Sequence, residues 1–189
     1  MKVRSDFVTN SSSSNTASLR IKCKPLAEML DNYKKAVGEA GLGEFPAFPR
    51  WKELEFDPKD GTVRWYWDEY GGGDDPEYSV PEALDEVLER LCWELVSETR
   101  WLQESGESPA PVAPLVRSII ENKDSIESEI ESVDWDFSNM VRGEFIGYVD
   151  DPKARDEIAQ DGYGSYDVKF SYDQKTGRTS YDRGWKAGF

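Results

Sequence analysis

The chain predicts an α+β domain, with an antiparallel sheet built from two hairpins plus extra strands and packed against two or three helices. Three observations lead there. A leucine stripe runs from Ser79 to Leu102, two stretches share one turn recipe between alternating flanks, and strand–helix–strand alternation never repeats. Residues 1–15 are expected to be a flexible serine-rich leader and 16–189 a single α+β domain, a length that one hydrophobic core can serve.

The leucine stripe is the organising element. Leu84, Leu88, Leu91, Leu95 and Leu102 recur at three-, four- and seven-residue spacings, with Val87, Cys92 and Thr99 at the stripe edges. That is the period of one buried helix face. Ser79 suits the N-cap, Pro81 the opening turn, and Glu82 the third position of a capping box. A lone helix of this length is marginal in water, so its stripe must meet a sheet or another helix.

The other elements follow in chain order. Ala17, Leu19, Ile21 and Cys23 alternate with polar neighbours over residues 16–23, the pattern of a half-buried strand. Pro25 opens a helix whose face carries Leu26, Met29, Leu30, Tyr33, Val37 and Ala40. Gly38 weakens its last turns, and Gly41 with Gly43 ends it. Residues 45–49, Phe-Pro-Ala-Phe-Pro, read as an extended apolar strap across the core edge.

Residues 56–61 and 172–177 both spell aromatic-Asp-x-Lys-x-Gly. Asp starts a tight turn by accepting backbone bonds, and Gly supplies the positive φ for re-entry into the strand. Leu54 and Phe56 then face Val63, Trp65 and Trp67. Tyr166, Val168, Phe170 and Tyr172 face Thr179, Tyr181 and Trp185. Short turn chemistry recurs by chance, so these are two hairpins and not a duplication. After the Gly/Ser/Pro-rich connector 105–114, Leu115, Ile119, Ile126, Ile130 and Val133 predict a third helix over about 112–133, its stripe interrupted by Asn122. Residues 145–149 read as a short buried strand, and 152–160 as one or two helical turns.

Lys and Arg total 23 against 38 Asp and Glu, a net charge of −15. Such a field repels nucleic acid and anionic lipid and attracts basic partners. The chain has no histidine, which removes Ser-His-Asp and Cys-His catalysis and every His-ligated metal site. Cys23 and Cys92 lie in apolar patterns and read as core thiols of a reducing compartment, not as a disulfide or a nucleophile. With no apolar run fit for a signal peptide or a membrane span, a cytoplasmic location is expected.

The N-terminal run Asp6-Phe7-Val8-Thr9-Asn10-Ser11-Ser12-Ser13-Ser14 follows Met1-Lys2-Val3-Arg4. By composition it is a polar leader. It also resembles an N-terminal signature of uncharacterised bacterial proteins, which often continues with a fifth serine and an aromatic where this chain has Asn15 and Thr16. The resemblance covers residues 1–14 alone and carries no known activity. It implies a bacterial or phage origin and a recognition or processing tag at Thr9, Asn10, Ser11, Ser12, Ser13 and Ser14, to set beside the leader reading.

The most unusual local feature is the loop 68–77, where Asp68, Glu69, Asp74, Asp75 and Glu77 surround Gly71-Gly72-Gly73. A solvated loop is the first expectation, a docking loop for a basic partner the second, and a divalent-metal site the third. The metal candidates are Asp68, Asp74, Asp75, Asp134 and Asp136. They match no calcium loop: the run from Asp134 starts like one but has Asn139 at its sixth position and Phe145 at its twelfth. Aromatics crowd residues 65–70, where Trp65, Tyr66, Trp67 and Tyr70 occupy both faces of one strand. Trp93 falls opposite the leucine stripe among Glu89, Arg90, Glu94 and Ser97. Each is expected under a second layer, or else in an exposed aromatic patch that anchors protein contacts.

These observations predict an acidic binding or accessory protein of the immunity or inhibitor type that covers a basic partner, with no catalytic residue and no cofactor. Tyr66, Asp68, Tyr70, Asp74, Asp75 and Trp93 are its expected contact residues. A divalent-metal-dependent hydrolase using the same carboxylates, and a homo-oligomeric structural protein, are the readings from other classes.

Overall fold

The computed structural model describes residues 14–46, 52–70, 84–143, 146 and 151–187. The order of elements is β1 (Ser14–Lys22), α1 (Lys24–Ala40), β2 (Lys52–Asp57), β3 (Thr62–Tyr70), α2 (Leu84–Glu104), α3 (Ala113–Glu121), α4 (Lys123–Ser128), β4 (Ser132–Arg142), α5 (Pro152–Asp161), β5 (Tyr163–Asp173) and β6 (Arg178–Ala187). The strands form one six-stranded sheet in the order β2-β3-β1-β4-β5-β6, with every neighbouring pair antiparallel. The fold is α+β.

Pleating sorts the sheet into two chemically different faces. Register aligns Leu54, Trp65, Leu19, Trp135, Phe170 and Tyr181 in one row across all six strands. The neighbouring row on that face runs Phe56, Val63, Ile21, Val133 and Tyr172. The Trp65 and Trp135 rings flank Leu19 with centroids 6.1 Å apart. The five helices among the described residues lie on this side. Leu26, Ala27, Leu30 and Val37 of α1, Leu115 and Ile119 of α3 and Ile126 of α4 are buried in the same cluster as the two rows. Ile158 of α5 packs on Gly164 of β5 so closely that a Cβ there would meet the isoleucine at 2.4 Å.

The leucine stripe of α2 is buried as its period requires, with Val87, Leu88, Leu91, Cys92, Leu95, Thr99 and Leu102 each at most 8% exposed. Thr99 donates its hydroxyl to the Leu95 carbonyl at 2.7 Å and so enters the core with its polar atom satisfied. Ser79, Pro81 and Glu82, the expected start signals, lie outside the described residues. The buried band is wider than expected, since Glu94, assigned to the outer face, is only 2% exposed. Its carboxylate lies 3.1 Å from Arg90 Nε, an i,i+4 pair that makes burial tolerable.

Both hairpin turns form as the shared recipe requires, and each is tied to a distant junction. Asp57 accepts from the Lys59 N–H at 2.8 Å, and Gly61 takes φ +74°. The Gly61 carbonyl accepts from the Cys23 N–H at 2.8 Å, locking this turn on the β1–α1 junction. In the second turn Asp173 accepts from the Thr176 N–H at 3.1 Å, and the Gln174 side chain donates to the Ser128 carbonyl at 2.6 Å. That bond holds it against the end of α4. Helix α1 ends as expected at Gly41, φ +62°, with the Leu42 N–H returning to the Val37 carbonyl at 3.0 Å.

Three expectations need correction. The third helix is two short helices, α3 and α4, because Asn122 leaves helical geometry at φ −109°, ψ 14° and turns its amide onto the Ser118 carbonyl. The helix also does not reach Val133. Ser132 opens a strand in which Val133 and Trp135 alternate with Asp134 and Asp136, and the two-residue period prevails over the leucine-and-isoleucine stripe. Finally, Ala40 is exposed and Ala27 takes a place on the buried face of α1. The strap keeps Phe45 buried, against Tyr33 at 5.3 Å, while its residues 47–49 lie outside the described set. So does the expected strand 145–149, except for Ile146. β1 begins at Ser14, so it takes in the last two residues of the expected leader 1–15.

Leu91→Ala is expected to lower unfolding free energy by about 3 kcal/mol in a urea titration, since it removes a fully buried stripe residue. Val96→Ala on the outer side of α2, 46% exposed, should change it by less than about 0.5 kcal/mol.

Candidate functional site: the open face of the sheet

The second face of the sheet has no described helix over it. Its rows are polar throughout. One runs Glu53, Tyr66, Ser18, Asp136, Lys169 and Asp182, and the next Glu55, Arg64, Arg20, Asp134, Ser171 and Ser180. A third runs Asp57, Thr62, Lys22, Ser132, Asp173 and Arg178. These are the positions that alternate with the core residues, so the pattern that buries Leu19 and Trp135 also delivers Arg20 and Asp134 to solvent.

This face carries a broad, open depression. A cavity of about 760 Å³ opens over it, lined by residues of β1 to β5 and by Asp60 in the first turn. Asp60 accepts from the Thr62 N–H at 2.8 Å. The Thr62 hydroxyl beside it and the Thr62 N–H bond, with smaller help from Lys22 and Arg20, hold its carboxyl below the usual carboxylate range. The Lys22 ammonium donates to the Asp60 carbonyl. Lys169 Nζ stands 3.2 Å from Asp136 Oδ2 across β4 and β5. The face is thus anchored at its edges, with carboxylates outnumbering cations.

The structure separates the expected contact residues. Tyr66 stands on the open face, 37% exposed. Trp93 stands on the outer side of α2, 56% exposed, with the Arg90 guanidinium 5.1 Å from its ring centroid. The helix layer and the sheet lie between them, so the two aromatics do not form one patch. Asp68 and Tyr70 are register partners of Thr16 and Ser14, so β3 takes in the first three residues of the expected loop 68–77. Asp74 and Asp75 lie outside the described residues, as do Thr9 to Ser13 of the tag; Ser14 is the first residue of β1. Of the metal candidates, Asp134 and Asp136 point to the open face two residues apart, and Asp136 is engaged by Lys169. Among the described residues no group of three or more Asp, Glu or Cys gathers to hold a metal ion.

Cys23 and Cys92 are free and buried on the helix side of the sheet. Burial is the main reason that the Cys23 thiol is raised, and burial with the Glu89 carboxylate nearby pushes Cys92 up to about 11. Neither is a thiolate nucleophile at neutral pH.

Glu53, Glu55, Arg20 and Arg64 are site residues the sequence reading passed over. Their signal was present as the polar half of each alternation, but their grouping depends on β1 pairing with β3 across the intervening α1 and β2, a long-range contact that no local pattern announces. No helix among the described residues is long and apolar enough to cross a membrane. Compared with protein-family models, curated proteins and solved structures, the chain matches none.

The Cys92 thiol gives a pH prediction. Its value is raised from the ordinary 9.0 to about 11, so the unfolded chain loses this proton first and folding stability falls across that window. The loss is about 2 kcal/mol by pH 11. Urea titrations should show Cys92→Ala losing less stability than the native sequence between those pH values, whatever its stability at neutral pH.

Proposed function

We propose that this protein is a non-catalytic binding module that docks a basic protein partner on the open face of its sheet, in the manner of an immunity or inhibitor protein. One observation supports this reading: a six-stranded sheet buries one face and leaves the other as a broad polar concavity lined by Glu55, Asp57, Asp60, Asp134 and Asp136, with Glu53 on the same face at the β2 edge. A net charge of −15 supports it, because carboxylates on such a rim steer a cationic surface toward the concavity and fix its register. Tyr66 supplies an aromatic anchor with a polar tip beside the rim. The buried free thiols fit a reducing compartment.

The test is capture from a lysate of the source organism by the immobilised protein. Basic proteins should be retained at low salt and released as ionic strength rises. Glu53→Gln/Glu55→Gln/Asp134→Asn/Asp136→Asn should weaken the captured partner by on the order of tenfold or more, whereas Trp93→Ala should leave it unchanged. Capture that ignores both salt and the four neutralised carboxylates, or that depends on Trp93 instead, overturns the reading.

A further inference from the structure

The centre of the open face carries a charge arrangement that a basic partner does not explain. Arg20 of β1 and Arg64 of β3 are direct register partners, so two guanidinium groups leave the same face of adjacent central strands. Cross-strand Cβ atoms of such a pair sit about 5 Å apart, and like charges placed so repel. Glu55 stands across from Arg64 on β2, and Asp134 across from Arg20 on β4, giving the order acid, base, base, acid. Of the cations lining the concavity, Lys169 is held by Asp136 at 3.2 Å. Among the described residues, neither Arg20 nor Arg64 closes an ion pair with its flanking carboxylate, and both are exposed.

We propose that Arg20 and Arg64 form an oxyanion-binding subsite that receives one phosphate group. Two planar forks on adjacent strands match the charge and the several acceptor oxygens of a phosphate, and together they form charge-assisted bonds that a single lysine cannot. The flanking Glu55 and Asp134, with Asp60 at the rim, set the size of the ligand. They repel an extended polyanion such as nucleic acid, while a single phosphate fits between the two cations. The subsite stands apart from the basic-partner reading, because inorganic phosphate binds or fails to bind without any partner.

The experiment follows the arginine Nε–Hε resonances by NMR while sodium phosphate, sodium acetate or sodium chloride is added at constant ionic strength. Phosphate is expected to shift the Arg20 and Arg64 signals saturably, with half-saturation on the order of 1 mM, and to raise the melting temperature. Arg20→Gln and Arg64→Gln should each weaken binding at least about tenfold, and the double variant should abolish it, while Arg178→Gln at the edge of the same face leaves it intact. The double variant should melt no lower than the native protein without phosphate, since it removes a repelling pair. Should it fail to fold, Arg20→Lys/Arg64→Lys keeps both charges and should still lose most of the affinity with the fork. Absence of saturation, saturation that survives loss of both arginines, or acetate binding as tightly as phosphate overturns the proposal.

Discussion

One-sided burial of a pleated sheet is the constraint on which the rest of this structure depends. Each of β1, β3 and β4 alternates strictly, so the row that places Leu19, Trp65 and Trp135 against the helices places Arg20, Arg64 and Asp134 on the opposite side. A slip of one residue in any of the three would send a charge into the core and a buried apolar side chain (Leu19 of β1, Trp65 of β3 or Trp135 of β4) into water. The apolar row therefore fixes the polar row. The geometry of the open face follows from packing on the hidden one, and a charged residue there is held in place by a neighbour it never touches.

The turns and junctions secure this register. Gly61 binds the first hairpin to the start of α1, where a Cβ would meet the Lys24 backbone at 3.1 Å, and Gln174 binds the second to the end of α4. Lys123 of α4 reaches Glu89 of α2 at 2.6 Å, joining the two helices that flank this end of the core. With helices committed to one side, the concavity on the other side has a rigid floor and a rim of side chains. Such a surface suits recognition: its strands hold side-chain spacing fixed, and Glu55, Asp134, Arg20 and Arg64 stand exposed on it.

Much of the fold was legible in the sequence because local signals agreed with the tertiary arrangement. The leucine stripe, the two Asp-to-Gly turns, Gly41 after α1 and the helix from Pro152 each state their own conformation. What failed to show was β4. Leu115, Ile119, Ile126, Ile130 and Val133 fit a single helical stripe, and only the alternation beyond Glu131 reveals the strand. β4 is also the strand that joins the two hairpins through β1. Without its position the polar residues of separate strands could not be assembled into one face. For that reason the candidate site reduced to unusual local composition, the acidic loop and the aromatic cluster. Arg20, Arg64, Glu55 and Asp134 are ordinary residues one at a time, and become a site only through register.

The most direct measurement is the reactivity of cysteines introduced on the open face. Ser18→Cys on β1 and Asp134→Cys on β4 should each react with a maleimide in the folded protein at a rate approaching that of the unfolded chain, while the native Cys23 and Cys92 stay protected until denaturant is added. Protection of both introduced thiols in the folded state would mean that this face is covered, and would contradict an open recognition surface.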